Sequence, residues 1–588
     1  MLLFKIMYNI YMLGVKKGNR LTFVWVMTLL VFAIIVVRLF QLQIIEHEKW
    51  LSMAESGTMR QLVIPARRGE IYARDGRDLA PLVLNQTVWS VFLDPVVVSN
   101  GDRVKQILEE NAKSKILPNL DIDAVLADGE RGVRYRVVAR GLNFDEAQAI
   151  KDANLAGVGL TRSVRRTYPN ESLASQTLGF VNMDGEGQYG VEGAWDEQLR
   201  GVDGELRTVT DVNNIPLTLG GENIRVPAVD GKNIVLSLDI NIQAMVEKIL
   251  ASQLNAISEK AVGSAVVLDP RDGRILAMTG YPSFDPSEFW NVQDARVFSN
   301  PVLTGLYEPG SVIKPFTMGV GINTGTVSTF DTFHNTDSVQ VADATIRNLF
   351  RGRTGHITYQ VAMDFSLNTG MVEILRLLGG GRGVGNLAGR EVMYDYFHNK
   401  FGFGMSMDLG LPNSRGTLHA PQSEFGGPVQ YANMSFGQGM SATPLQVAGA
   451  FGGLIGDGTI RRPWVIEGFL EDGEVNITNE IVTKEAVSEA TAREVREMMV
   501  RGRGTIFGNI DGWTLGGKTG TSETIDEDGN YTGDTTDASY IGFGARNGDE
   551  PRFVIMTHVR EQGNNLQGGQ HAQPIFFEIA QFLSMYLR

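Results

Sequence analysis

A long apolar run near the start of the chain predicts a helix. Residues Leu21 to Val37 contain no charge over 17 positions, and Leu39 and Phe40 continue the run past Arg38. An α-helix rises about 1.5 Å per residue, so about 20 apolar residues match the hydrocarbon thickness of a bilayer. The pattern therefore predicts a transmembrane anchor over residues 21–40.

The charges beside this run indicate its orientation. Three basic residues between positions 16 and 20 precede it, whereas Glu46 and Glu48 follow it. By the positive-inside rule, residues 1–20 are expected in the cytoplasm and the rest outside, so the predicted location is the plasma membrane, crossed once. A cleaved signal peptide is the alternative, but the run is long for one, and the only cleavage candidate, near Ala54, is weak.

The rest of the pattern separates two regions. Residues 41–230 alternate short strand-like runs with turn signals such as Asp75-Gly76, and they carry no cluster of catalytic side chains. Residues 231–588 open with a β-branched run at Asn233–Asp239, followed by a segment of helical period from Ile240 to about Ile257.

Strands are also predicted near both ends of the second region. A hairpin flanks Asp272-Gly273, a strand pair covers 538–545 and 552–559, and an amphipathic helix follows over 574–587. Strands at both ends with helical material between them imply one antiparallel sheet, completed by both ends and interrupted by a helical insertion. The predicted fold class is therefore α+β.

Composition excludes several classes of function. The 588 residues exceed one ordinary core and imply two or three domains. The formal net charge of −14 leaves no basic surplus for binding nucleic acid. There is no cysteine, and the seven histidines form no H-E-x-x-H motif or close pair, so thiolate chemistry is excluded and neither a metal nor another cofactor is expected.

Candidate chemistry begins at Ser311-Val-Ile-Lys314, which follows the helix-start signal Glu308-Pro-Gly310. Ser311 is expected at a helix N-terminus, with Lys314 one turn later on the same face. Desolvation lowers the pKa of a lysine, so a neutral Lys314 can take the Ser311 proton as the serine attacks a carbonyl. The alternative is a capping serine beside a solvated lysine, because S-x-x-K arises by chance about once or twice in a chain this long.

Two further motifs follow, Ser366-Leu-Asn368 and Lys518-Thr-Gly-Thr521. The first is weak alone, because its serine can cap the helix expected from Thr369 to Leu378. The second is more specific, since its glycine allows close backbone approach on a predicted edge strand. Thr519 and Thr521 lie two residues apart on that strand, so they share a face suited to holding a carboxylate.

The three motifs, separated by 55 and then 152 residues, resemble the signature of penicillin-binding proteins and class A β-lactamases. The stretches 65–80, 168–182 and 190–201 resemble the non-catalytic pedestal of class B penicillin-binding proteins. A compact pedestal and a C-terminus directly after the last predicted helix favour the septal, cell-division type. The resemblance implies a cytoplasmic segment, an anchor, a dimerisation-like pedestal and a transpeptidase domain, at residues 1–20, 21–40, 41–230 and 231–588.

The resemblance also implies a peptidoglycan D,D-transpeptidase. Ser311 would attack the D-Ala-D-Ala bond of a stem peptide and release D-alanine, and the amine of a second stem would resolve the acyl-enzyme. Lys314 would act as the base. Ser366 would relay a proton to the leaving amine, and Asn368 would bind the donor amide.

In the third motif, Lys518 would supply positive potential for a terminal carboxylate held by Thr519, Gly520 and Thr521. The N–H groups of Ser311 and Thr521 would form the oxyanion hole. β-Lactams are the implied covalent inhibitors, and the implied partners are a membrane glycosyltransferase and proteins of the division or elongation machinery. A β-lactam sensor or hydrolase, and a scaffold that activates a glycosyltransferase, remain the alternatives.

Overall fold

The computed structural model of this chain describes most of its residues. Described are residues 20–50, 59–209, 224–349, 351–503, 510–525, 531–547 and 549–587. Contacts between Cα atoms divide the chain into two compact units, Met1–Ala66 with Val202–Asp230, and Arg67–Gly201 with Gly231–Arg588. The segment before residue 20, predicted to be cytoplasmic, and the cleavage candidate near Ala54 lie outside the described residues.

The strands, numbered in chain order, are β1 (Met59–Ile64), β2 (Ile71–Asp75), β3 (Asp78–Leu93), β4 (Arg136–Leu142), β5 (Val158–Thr167), β6 (Phe180–Val181), β7 (Gly187–Gln188), β8 (Gly204–Val209), β9 (Ile224–Val226), β10 (Asn233–Asp239), β11 (Val262–Leu268), β12 (Ile275–Tyr281), β13 (Thr332–Asn335), β14 (Ser338–Val341), β15 (Ala344–Arg347), β16 (Gly355–Thr358), β17 (Thr459–Arg461), β18 (Ile466–Glu471), β19 (Glu474–Ile477), β20 (Thr483–Glu485), β21 (Trp513–Ile525), β22 (Tyr531–Arg546) and β23 (Pro551–Arg560).

The α-helices are α1 (Arg20–Phe40), α2 (Gly101–Ala112), α3 (Ile122–Ala127), α4 (Phe144–Asp152), α5 (Ser175–Leu178), α6 (Gly190–Ala194), α7 (Asp196–Arg200), α8 (Ile240–Ile257), α9 (Pro301–Thr304), α10 (Lys314–Asn323), α11 (Tyr359–Asp364), α12 (Asn368–Leu378), α13 (Leu387–Tyr394), α14 (Pro428–Met434), α15 (Pro444–Ile455), α16 (Glu489–Arg503) and α17 (Gln573–Tyr586).

The first unit contains helix α1 and a small sheet. Helix α1 continues as a π-helical turn over Gln41–Ile45. The span Phe23–Ile45 is long and apolar enough to cross a membrane, and none of it is buried. It fits the single-pass anchor expected from the sequence. In the same unit, β8 pairs antiparallel with both β1 and β9.

The larger unit is built on two main sheets. Five antiparallel strands lie in the order β12-β11-β23-β22-β21, so two strands come from the start of the predicted second region and three from its end. This confirms the predicted sheet and its helical insertion. The other sheet has the order β19-β18-β10-β2-β3-β4, with β5 also paired to β3. Here β10, predicted correctly as a strand, pairs in parallel with β2 rather than joining the five-stranded sheet.

Different helices cover the two faces of the five-stranded sheet. Along β11, the adjacent residues Val266 and Val267 belong to separate apolar clusters, as the two-residue period of a strand requires. Helices α8 and α17 pack on the Val267 face, with Val246 and Phe576 fully or almost fully buried. The inserted helices, including α10 and α15, cover the other face. Strand β21 is last in the strand order and so lies at an edge of the sheet.

Candidate active site

Ser311 lies in a short helical turn at the edge of the five-stranded sheet. The turn is a 3-10 helix over Gly310–Ile313 that leads directly into α10, with Pro315 in the first turn of α10, where its missing N–H removes no helix bond. Val312 and Ile313 are fully buried and anchor the turn, whereas Ser311 is partly exposed. In the described part of the chain no group hydrogen-bonds the Ser311 hydroxyl, so the oxygen is available to a ligand.

Lys314 lies one turn after Ser311, as predicted, but it is buried rather than solvated. Its side chain is 1% exposed. The Lys314 Nζ donates to the backbone oxygen of Ser366 at 2.6 Å and to Ser366 Oγ at 2.9 Å. The alternative of a solvated surface lysine is therefore wrong for this residue.

Ser366 lies between the two lysines of the motifs. Lys518 Nζ donates to Ser366 Oγ at 3.0 Å, so this one hydroxyl oxygen faces both Lys314 and Lys518. Ser366 has a φ of 52°, a left-handed conformation that is uncommon outside glycine and asparagine. The N-cap position of α12 is occupied by Leu367, which makes no side-chain capping hydrogen bond. Ser366 is therefore not the N-cap, contrary to the alternative considered from the sequence.

Burial and proximity set the charge of the two lysines. Burial, and then the neighbouring charge of Lys518, hold the pKa of Lys314 well below its ordinary value. Burial also lowers the pKa of Lys518 to about 8, and the carboxylate of Asp364 opposes this shift. Two adjacent ammonium groups repel each other in a dry site, so one neutral and one charged lysine is the favoured state.

The third motif occupies the edge strand β21, as predicted. On β22, the partners of Lys518, Thr519 and Gly520 are Ile541, Tyr540 and Ser539, respectively. Lys518 is 7% exposed, whereas Thr519 and Thr521 are partly exposed on the opposite strand face. The Thr519 Oγ1 lies 3.5 Å from Lys518 Nζ, so a cation and a hydroxyl are presented side by side.

The free edge of β21 runs beside the Ser311 turn. Ser522 Oγ donates to the backbone oxygen of Glu308 at 2.6 Å. A Cβ added at Gly520 would lie 2.3 Å from Ser539 Oγ and 2.9 Å from the Pro309 oxygen, so only glycine fits there. The close backbone approach expected of this motif is thus the contact between β21 and the turn.

Asn368 is the first residue of α12, two positions after Ser366. Its Nδ2 donates to the backbone oxygen of Arg347 at 2.9 Å, which ties the start of α12 to the end of β15. The Oδ1 of Asn368 accepts no hydrogen bond from any described residue and can accept one from an amide N–H. The three motifs are therefore brought together from α10, from the α11–α12 connection and from β21.

Two residues of the site were missed by sequence reasoning. The Glu308 carboxylate accepts from the backbone N–H of Gly439 at 2.7 Å, which joins the Ser311 turn to the loop after α14. Glu308 was noted only as part of a helix-start signal. Asp364, two residues before Ser366, lines a pocket with Lys518. Nothing in the spacing of the motifs reveals it, because it depends on the packing of α11 against α16, which in turn packs on β21.

Comparison with known families gives two matches. The penicillin binding protein transpeptidase domain matches residues 263–581, and the penicillin-binding protein dimerisation domain matches residues 63–236. The chain belongs to the penicillin-binding protein transpeptidase family. A dimerisation domain followed by a transpeptidase domain, together with the relatives below, confirms the predicted class B penicillin-binding protein of the septal type.

Named relatives match over most of their length. Stage V sporulation protein D of Bacillus subtilis is 29% identical, covering 96% of this chain and 85% of the relative. The probable peptidoglycan D,D-transpeptidase PenA of Neisseria gonorrhoeae is 28% identical over 96% and 92% of the two chains. The peptidoglycan D,D-transpeptidase FtsI of Escherichia coli is 27% identical over 93% and 88%.

Solved structures share the fold. Penicillin Binding Protein 2X from Streptococcus thermophilus superposes with a TM-score of 0.71 at 23% identity, covering 90% of this chain and 80% of that one. Penicillin binding protein 3 of Mycobacterium tuberculosis, in complex with aztreonam, superposes with a TM-score of 0.64 at 24% identity, covering 89% and 97%. These likenesses confirm the α+β fold.

Proposed function

We propose that this protein is a serine-type peptidoglycan D,D-transpeptidase that cross-links stem peptides during septal cell-wall synthesis. The observation that carries the proposal is the convergence of Lys314 and Lys518 on Ser366 Oγ, next to the partly exposed Ser311. The relatives PenA and FtsI, named as a probable peptidoglycan D,D-transpeptidase and a peptidoglycan D,D-transpeptidase, support it.

In the proposed first step, Ser311 Oγ attacks the carbonyl carbon of the D-Ala-D-Ala bond. A new C–O bond forms, and the hydroxyl proton passes to Lys314 Nζ, whose lowered pKa leaves it neutral and able to accept. Lys314 hydrogen-bonds Ser366, so a proton can move from Lys314 through Ser366 to the leaving nitrogen. The C–N bond then breaks and D-alanine departs as an amine.

The substrate carboxylate is assigned to the β21 edge. Lys518 supplies a buried positive charge there, and the hydroxyls of Thr519 and Thr521 lie on one strand face. The oxyanion of the tetrahedral intermediate is assigned to the N–H groups of Ser311 and Thr521, each donor being worth about 3 kcal/mol. Asn368 Oδ1 accepts from the donor amide.

In the second step the amine of another stem peptide attacks the acyl-enzyme. The Ser311–carbonyl bond breaks, a new amide forms, and the proton returns to the serine along the same relay. A β-lactam presents a carboxylate and a strained amide to the same groups, so it would acylate Ser311 and block the site.

Mass spectrometry tests this function. The detergent-solubilised protein is incubated with penicillin and mapped by peptide digestion, beside Ser311→Ala and the exposed-surface control Ser423→Ala. One penicilloyl adduct on Ser311 is expected in the wild type and the control, with none in Ser311→Ala. An adduct on another serine would refute Ser311 as the nucleophile, and hydrolysis of the adduct within minutes would favour a β-lactam hydrolase.

We infer that the anchor lies in the plasma membrane with the catalytic region outside the cytoplasm. The apolar span Phe23–Ile45 and the basic residues before it support this orientation. Because the chain has no cysteine, a single Ser423→Cys variant offers a clean probe. A membrane-impermeant maleimide should label Cys at this position in cells whose inner membrane is intact. Protection from labelling would show that the orientation is the opposite of the one inferred.

The domain limits and partners are proposals of the same kind. The ranges 1–20, 21–40, 41–230 and 231–588 are supported by the span of α1 and by the two matched domains. A membrane glycosyltransferase of the division machinery is the proposed partner. Co-purification of such an enzyme with the full chain, and its loss when α1 is exchanged for an unrelated apolar helix, would test the partnership.

A further inference from the structure

Lys518 separates two different environments. On one side its Nζ donates to Ser366 Oγ at 3.0 Å. On the other side Lys518 lines a pocket together with Asp364, Met498, Tyr540 and other residues of β21 and α16. Asp364 is the last residue of α11 and precedes Ser366 by two positions, so one short segment supplies both the hydroxyl and a carboxylate.

The Asp364 carboxylate is held on the pocket side. Gln360, one turn earlier on α11, donates from Nε2 to Asp364 Oδ1 at 2.8 Å and to the Met498 oxygen at 3.2 Å. Gly502 lines the same pocket, and a Cβ added there would lie 2.9 Å from Asp364 Oδ1. The carboxylate is therefore positioned by α11 and by α16 together.

Titratable groups face Lys518 from three elements. Lys314 on α10 faces it across Ser366, Asp364 on α11 faces it from the pocket, and Tyr540 on β22 lines the pocket as well. Asp364 raises the pKa of Lys518, against the effect of burial. For Lys314 the causes of the lowered pKa are burial and Lys518. The carboxylate thus acts on one lysine of the pair.

We propose that Asp364 is a positioning residue that keeps Lys518 protonated while Lys314 stays neutral. The inference rests on the proposed function, in which Lys518 attracts a carboxylate and Lys314 accepts a proton. An anion behind Lys518 favours the charged form of the nearer lysine. The positive charge on Lys518 in turn disfavours a proton on Lys314. Asp364 would therefore determine which of the two lysines is charged and which is neutral.

The test is the pH dependence of acylation. The second-order rate constant for a fluorescent penicillin is measured with the full chain in detergent, from about pH 6 to about pH 10. In Asp364→Asn, the alkaline decline is expected about half a pH unit lower than in the wild type; the shift is small because water screens an exposed carboxylate. Asp364→Glu should restore the wild-type profile, and Asp343→Asn, which removes an exposed acid from the turn after β14, should match it.

The outcomes separate the inference from the function on which it rests. An alkaline limb that stays in place in Asp364→Asn would overturn the role of Asp364, as would an equal loss of rate at every pH. Both results still allow acylation of Ser311 in the wild type. A folded wild type that acquires no adduct on Ser311 would instead defeat the proposed function, and the inference would fall with it.

Discussion

Lys314 and Lys518 are both buried lysines, yet the proposed chemistry asks opposite things of them. Lys314 must lose its proton, whereas Lys518 acts through its charge. Arginine stays protonated at any accessible pH, so it can replace a cation but not a base. Lys314→Arg should therefore lower the rate of penicillin acylation by at least about 100-fold, whereas Lys518→Arg should retain a rate within about 10-fold of the wild type.

The measurement is stopped-flow acylation with a fluorescent penicillin, with the melting temperature recorded for each variant. Because both sites are buried, rates are compared only between variants that melt close to the wild type, and an unstable Lys314→Arg is replaced by Lys314→Met, which removes the amine with little change of volume. Comparable losses in Lys314→Arg and Lys518→Arg, at unchanged melting temperatures, would contradict the separate roles.

At the scale of residues, the sequence predicted which side chains form the site better than it predicted the hydrogen bonds between them. The helical spacing of Ser311 and Lys314 follows from local geometry alone, and so does the shared face of Thr519 and Thr521. The contact of both lysines with Ser366 depends on packing between segments 52 and 152 residues apart, which no local pattern encodes. Asp364 was not predicted as a site residue for the same reason.

Among the elements, the loop after α14 controls the position of the Ser311 turn. Gly437 has a φ of 88°, and its oxygen accepts from the Gly310 N–H at 2.9 Å. A Cβ at Gly437 would lie 2.0 Å from the Gly310 oxygen. Gly437→Ala must therefore displace the turn that carries Ser311, in addition to adopting a strained backbone worth about 2 kcal/mol.

We expect Gly437→Ala to lower the acylation rate at least about 10-fold and to reduce the free energy of unfolding by about 2 kcal/mol. Gly427→Ala is the matched control, because Gly427 has a φ of −71° and a Cβ there would meet nothing within 4 Å. Acylation kinetics and thermal melting check both variants. Wild-type rates in Gly437→Ala would show that the loop does not hold the turn.

The elements themselves were largely predictable. The strand Asn233–Asp239 and the helix Ile240–Ile257 match their predicted bounds, β22 and β23 contain the predicted strand pair, and α17 ends one residue before the predicted last helix. Periodicity and turn residues are local signals, so they give elements reliably. The parallel pairing of β10 with β2 joins segments more than 150 residues apart and has no such signal.

For the molecule as a whole, that pairing has a consequence for cooperativity. The seven-stranded sheet takes β2–β5 from residues 67–201 and β10, β18 and β19 from residues 231–588. Arg74 on β2 also pairs with Glu467 on β18 at 2.5 Å. Segments that share a sheet and an apolar core unfold together, so these two ranges should melt in one transition rather than as separate domains.

Glu192 offers a way to test this shared stability far from the catalytic serine. Its carboxylate is fully buried and paired with Arg68 and Arg166, each at 2.7 Å. Glu192→Gln would leave the mostly buried Arg166 guanidinium without its counter-charge and Arg68 with Asp196 as its remaining carboxylate partner, at a cost of about 3 kcal/mol. The exposed Glu109→Gln is the control and should change stability by less than about 0.5 kcal/mol.

Differential scanning calorimetry, with and without bound penicillin, distinguishes the two arrangements. If residues 67–201 and 231–588 are one cooperative unit, Glu192→Gln lowers the melting temperature of the same transition that penicillin raises, because a ligand of the folded state stabilises everything that unfolds with its site. If they are independent, the variant lowers one transition and penicillin raises another. The shared sheet and its Arg74–Glu467 pair lead us to expect the first result, in which damage at Glu192 also destabilises the transpeptidase site.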